Sequence, residues 1–137
     1  MNISARCEYA CRALVELGNR YAAQQTVTAQ EIAERRHIPE KYLVHILLQL
    51  KRAGIVRSLR GAQGGYLLGR DPGEVCLLDI VEAIDGAVLD PLPVDDAASD
   101  VLRPAWLEVA EGIRTVLRAT SVRTLMDKAS SDNMYYI

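Results

Sequence analysis

The 137-residue chain has no phenylalanine, one tryptophan and only 5% aromatic residues, so its core has to be built from aliphatic side chains. Cysteine is scarce: Cys7, Cys11 and Cys76 form an odd set without framework spacing. This excludes a disulfide scaffold and fits a reducing compartment. The two histidines, His37 and His45, lie close together in the chain. No nucleophile and base constellation can be assembled from them, and an enzyme is not expected. No apolar run approaches the roughly 20 residues that a membrane-spanning helix needs. Residues 1–6 lack the pattern of a signal peptide. A cytoplasmic protein without a membrane partner is expected. Internal repeats and low-complexity tracts are lacking too.

Half of the residues are hydrophobic, enough at this length for one compact domain with an appended element. The net charge of -2 hides an asymmetry: residues 1–72 carry 11 Lys and Arg against 6 Asp and Glu, whereas residues 73–137 carry 5 against 12. A basic amino half suits a polyanion and an acidic carboxyl half is repelled by one, so any DNA contact belongs to the first part.

In residues 4–23, Cys7, Cys11, Leu14, Leu17 and Tyr21 recur at steps of three and four, which predicts a core-packed helix. Thr28 and Glu31 have capping-box spacing, so the Thr28 hydroxyl can accept an orphan amide while Glu31 reaches back, starting a short helix that runs to about Arg36. His37-Ile38-Pro39 breaks it. Pro39 suits the first position of a following helix and Gly54 its end. At 100° per residue, Leu43, Ile46, Leu47 and Leu50 form the buried face of that helix, and Lys41, His45, Leu48 and Arg52 fall opposite. Helix, short turn, helix is the pattern of a DNA-reading unit, although a charged outer face can also be merely solvated.

The segment that follows decides between the two: Arg57-Ser58-Leu59-Arg60-Gly61-Ala62-Gln63-Gly64-Gly65-Tyr66-Leu67-Leu68. Two short apolar runs flank a glycine-rich turn, which predicts a hairpin that serves as a wing. Arg57 and Arg60 would reach phosphates or a minor groove. Asp71-Pro72-Gly73 is a turn, and 77–84 is an amphipathic helix closed by Gly86. Residues 87–103, with Pro91, Pro93, Asp95, Asp96 and Asp100, read as an acidic linker. A long helix is expected from near Pro104, with Trp106, Val109, Ala110, Ile113, Val116 and Leu117 close to a heptad rhythm. Its stripe either packs onto its own domain or pairs with a twin helix. A short helix at 121–129 and a polar-then-aromatic tail at 130–137 complete the chain.

Tyr9-Ala10, Ile32-Ala33, Ile38-Pro39, Tyr42-Leu43, Leu50, Ala53-Gly54, Arg60-Gly61, Gly64-Gly65-Tyr66-Leu67-Leu68, Asp79-Ile80 and Trp106 together resemble the pattern of the IscR, NsrR and CymR family of bacterial winged-helix transcriptional regulators. The resemblance implies a mainly α fold with a small β-hairpin, a winged helix-turn-helix plus a long dimerisation helix. Its parts would be a DNA-binding domain at 1–86, the linker at 87–103, and a dimerisation helix, short helix and tail at 104–137. It implies a homodimer on an imperfect palindrome, with the helix at 39–53 in a major groove and the wing toward the adjoining minor groove. The DNA-contacting set would be Thr28, Lys41, Tyr42, His45, Arg52, Arg57, Ser58, Arg60, Gly61, Gly64, Gly65 and Tyr66.

The chain also departs from the family. Many members hold an iron-sulfur cluster through cysteines in the linker, but neither Cys nor His occurs between Gly86 and Trp106. No cofactor of that kind is expected. Cys7 and Cys11 fit small core positions, with a thiol switch or unusual metal site involving Cys76 as the alternative. Val44-His45 stands where members often carry Glu-Gln, so base-edge contacts change. Without a cluster the chain resembles the cysteine-metabolism branch exemplified by CymR, which implies a repressor of cysteine or sulfur-assimilation genes. The end, Met134-Tyr135-Tyr136-Ile137, is similar to isoleucine-ended tails that enter the active site of cysteine synthase (O-acetylserine sulfhydrylase). Alternatively, the tail folds back on the dimer core. A regulator acting mainly by binding that enzyme, and a redox- or iron-responsive one, are the competing functions.

Overall fold

The computed structural model describes residues 2–89 and 99–135. Among these lie six α-helices, one 3-10 turn and a two-stranded antiparallel hairpin. Helix α1 (Ala5–Asn19) starts where the Ser4 hydroxyl accepts from the Cys7 amide, and it stops before Tyr21, shorter than the apolar spacing suggests. It is the central post of the core. Ala10, Ala13, Leu14 and Leu17 are fully covered, with α2 (Ala29–Arg36), α3 (Glu40–Arg52) and α4 (Leu77–Asp85) packed around it. As the lack of phenylalanine requires, the core is Leu, Ile, Val and Ala, with Cys7 among them.

Local chemistry explains the boundaries. Thr28 caps α2 by accepting from the Glu31 amide at 3.2 Å. The Glu31 carboxylate, however, is engaged by Arg20 and Arg35, each at 3.1 Å, rather than devoted to a reciprocal capping box. His37 closes α2 in the left-handed region (φ 54°, ψ 49°). Pro39 is not the first helical residue of α3 but its cap. Its ψ of 124° is extended, and its carbonyl accepts from the Tyr42 and Leu43 amides. At the other end Gly54, at φ +76°, donates to the Lys51 carbonyl while Ile55 donates to that of Leu50, the paired bonds of a glycine-terminated helix.

Strands β1 (Val56–Leu59) and β2 (Gly65–Leu68) pair with Val56 opposite Leu68 and Leu59 opposite Gly65. An isolated bridge between Val27 and Tyr66 ties the hairpin to the chain just before α2. After the turn at Pro72–Glu74, α4 is capped by Cys76 and closed by Gly86.

The carboxyl part departs furthest from expectation. Helix α5 spans Ser99–Arg118, so it begins well before Pro104, which lies inside it. Proline there removes one intrahelical bond without ending the helix, because the loss falls near the start. The linker residues 90–98 lie outside the described residues. Helix α6 spans Val122–Tyr135 and continues through most of the segment read as a tail. Met134 and Tyr135 are thus helical, while Tyr136 and Ile137 lie outside the described residues. The expected stripe of α5 divides in two. Ala110 is buried and Ile113 and Leu117 pack on the core of their own domain, whereas Trp106, Val109 and Val116 are exposed. Backbone bonds from Leu77 to Thr120 (2.9 Å) and Val122 to Val75 (2.8 Å) strap the α5–α6 junction to the start of α4.

Candidate nucleic-acid interface

Helix α3 buries Leu43, Ile46, Leu47 and Leu50 and turns its other side outward because those four aliphatics share one face. Lys41, Tyr42, His45 and Arg52 are all exposed, as are Val44, Leu48 and Lys51. The outer face is therefore a mixture of cations and uncovered apolar groups. Glu40 adds one carboxylate in the first turn, where it complements the helix dipole.

Tyr42 is held rather than free. Its ring stacks on Tyr9 of α1 at 6.4 Å between centroids with a 24° interplanar angle, and the Lys41 ammonium sits 5.2 Å from its centre. Arg12 lies 5.4 Å from the Tyr9 ring, extending the row onto α1. The Arg6 guanidinium bonds the Gln49 amide oxygen, which fixes the rotation of α3 against α1 from a second point.

The hairpin follows α3 directly, and its first strand packs against that helix. Arg57, Arg60 and Gly61 are exposed, while Ser58, Gly64, Gly65 and Tyr66 are half-buried. Gly65 and Tyr66 serve the attachment of the hairpin. Tyr66 exchanges backbone bonds with Val27 at 2.8 and 3.0 Å, and a Cβ at Gly65, whose φ is +149°, would stand 2.8 Å from the Val27 carbonyl oxygen. The Thr26 hydroxyl donates to the Gln63 carbonyl at 2.8 Å, pinning the loop tip. Arg57 donates to the Gln24 side chain at 3.2 Å, so its guanidinium is oriented before any ligand arrives.

Sequence reasoning missed these supports because Gln24, Thr26 and Val27 carry no motif of their own. It also missed the ion cluster that seats α2. Glu16 of α1 is only 4% exposed, and its carboxylate faces Arg20 (3.7 Å), Arg35 (3.6 Å) and Arg36 (3.2 Å). Buried, one carboxylate can hold three guanidiniums from two elements in place.

Among the described residues no three His, Cys, Asp or Glu side chains converge closely enough to hold a metal ion. With no Cys or His between Gly86 and Trp106, the residues present do not fit a linker-held iron-sulfur cluster. The outward side of α3 and the hairpin offer cations, hydrogen-bonding groups and uncovered apolar side chains.

Comparison with known proteins groups the chain with transcriptional regulators. The model of the Rrf2 family, described as an iron-dependent transcriptional regulator, matches residues 3–128. The HTH-type transcriptional regulator CymR of Bacillus subtilis is 29% identical over the whole of both chains. A putative HTH-type transcriptional regulator of Mycobacterium tuberculosis is 34% identical over 89% of this chain and 79% of its own. Among solved structures, that of CymR, the global cysteine regulator of B. subtilis, superposes with a TM-score of 0.76 at 27% identity, over 93% of this chain and 98% of the other. The structure of T. potens IscR gives 0.74 at 29% identity, over 94% and 88%.

Proposed function

This chain belongs to the Rrf2 family of transcriptional regulators, and from that premise we propose that it is a homodimeric, cluster-free repressor of cysteine or sulfur-assimilation genes. The observation that carries the reading is the exposed, cation-bearing face of α3 together with the arginine-bearing hairpin that packs on that helix. Lys41, Tyr42, His45 and Arg52 meet the major groove. Thr28, Arg57, Ser58, Arg60 and the Gly61, Gly64, Gly65 and Tyr66 loop approach backbone and minor groove. The cations position the protein, and the uncovered groups of α3 read bases.

Dimerisation is supported by α5. Leu102, Ala105, Val109, Gly112 and Val116 follow one another at alternating steps of three and four, and all are exposed. Such a stripe needs a cover, and a twin helix supplies it with two-fold symmetry. The small residues in it permit close approach. The cysteine pathway rests on the full-length likeness to a protein described as a global cysteine regulator. The lack of linker thiols favours that branch over an iron-sensing one. Cysteine synthase, engaged through Met134, Tyr135, Tyr136 and Ile137, is the proposed bearer of the signal.

Selection of genomic fragments by the purified full chain at physiological salt, with and without the host's cysteine synthase, tests the reading. Imperfect palindromes upstream of sulfur-assimilation genes, sharpened by the enzyme, are expected. Enrichment at other genes would replace the pathway, and no enrichment would overturn the regulator.

A further inference from the structure

Single exposed apolar side chains are ordinary on a protein surface, but two of them meet on the outward side of α3. Val44 is 52% exposed and Leu48 44%, and as residues four apart they stand one turn from each other on the same face. At 100° per residue their directions differ by about 40°, with Lys51 about 20° to one side and Lys41 and Arg52 about 20–40° beyond Leu48 on the other. The patch is therefore an apolar centre with cations on both flanks. Among the described residues no carboxylate pairs with Lys41, Lys51 or Arg52. Tyr42, the other exposed apolar group of this helix, stacks on Tyr9 of α1.

Neither local stability nor the core accounts for this pair. An exposed valine is a poorer helix former than the Glu, Gln or Lys that suit a solvated face, and neither side chain packs into the core. A surface that covers the patch has to offer small apolar groups between lines of negative charge. The major groove of duplex DNA does so. Phosphates run along both edges, and the apolar group that unmodified base pairs present on its floor is the thymine C5-methyl. An apolar groove on a protein would cover Val44 and Leu48 but leave the flanking cations without counter-charges.

We propose that Val44 and Leu48 are specificity-determining residues that read thymine through its methyl group. The inference rests on the DNA-reading role given to α3 above and adds which base that helix selects. Val44 lies in the amino-terminal half of α3, the part of a recognition helix that meets base edges. Its branched side chain holds one strongly preferred rotamer in a helix, so its two methyls are presented with little entropy left to lose. The flanking cations take phosphates, which position the helix without carrying base information. Selectivity for thymine at the contacted positions then falls to the methyl contact.

Two random duplex libraries test this, one made with thymidine and one with deoxyuridine in its place, each selected by the purified full chain. Uracil keeps the pairing and lacks only the methyl. The first library is expected to yield a motif with at least one fixed thymine per half-site, and the second no fixed base at that position. In the recovered duplex, replacing that thymine by deoxyuridine in both half-sites should weaken binding about fifteenfold, about fourfold for each methyl, as burial of one such group supplies. Val44→Asn combined with Leu48→Asn should abolish the difference between the two duplexes, whereas Val44→Ile should keep it. Both positions are exposed, and circular dichroism checks that the variants stay folded. Uracil fixed at the same position in the second library, equal affinity for the two duplexes, or a methyl dependence retained in the double variant would overturn the inference and leave the DNA-reading role standing. No motif from either library would overturn that role and the inference with it.

Discussion

Arg60 and His37 illustrate how much single positions carry. Arg60 stands exposed at the wing's first turn, and the reading gives it a phosphate or groove contact. Arg60→Ala is therefore expected to weaken binding to all duplexes alike and to lower the slope of log affinity against log salt by about 1. Anisotropy titrations at several salt concentrations measure this, and an unchanged slope would remove Arg60 from the interface. His37 closes α2 with φ 54°, a conformation that costs a non-glycine residue about 1 kcal/mol. His37→Gly should raise the stability of the folded chain by about 0.5–1 kcal/mol, read as a higher Tm, and an unchanged or lower Tm would show that the left-handed cap is not a strained position. Thr28, Gly54 and the buried quartet of α3 were legible in the sequence because capping and helical periodicity are local rules. The Glu16 cluster was not. Nothing in the spacing of Glu16, Arg20, Arg35 and Arg36 announces that two helices bring them together.

At the scale of elements, the first three helices and the hairpin follow from sequence to within a few residues, since most boundaries have their own chemical signal, the end of α1 at Asn19 being the exception. The carboxyl helices do not. Pro104 was read as a start signal, yet one lost hydrogen bond near the start of a twenty-residue helix does not outweigh the rest. The polar stretch at 130–135 was read as tail, yet Ser, Asp and Asn there continue α6. Periodicity also merged two stripes of α5. One half, Ala110, Ile113 and Leu117, seals its own domain, and the other, including Val109 and Val116, faces outward. Val116 is 69% exposed, so Val116→Glu should leave the fold intact while placing like charges across the proposed two-fold contact. Sedimentation velocity is expected to report a monomer with unaltered circular dichroism. A dimer of normal affinity would place the contact elsewhere.

For the whole molecule, the charge division acquires a structural meaning. The basic half builds α1, α2, α3 and the wing, while the acidic half supplies α4, α5 and α6. The strap between Val75–Leu77 and Thr120–Val122 fixes α5 and α6 to the reading module, so a dimer made by α5 would hold two α3 helices at a set spacing. The role proposed for the tail is separable from DNA reading. Deleting Met134, Tyr135, Tyr136 and Ile137 should abolish any complex with cysteine synthase while leaving intrinsic DNA affinity within about twofold, because tail and reading surface share no residue. Co-sedimentation with the enzyme, run beside anisotropy on DNA, measures both. Retained enzyme binding would end the tail's proposed role.

The central claim is that α3 and the wing together form the DNA-reading surface, and amide hydrogen exchange of the full chain with and without a selected palindromic duplex tests it most directly. The account predicts new protection over Thr28 and the amino end of α3 and over residues 57–66, with little change in α4 and α6. Protection confined to α5 or α6, or none at saturating duplex, would contradict it.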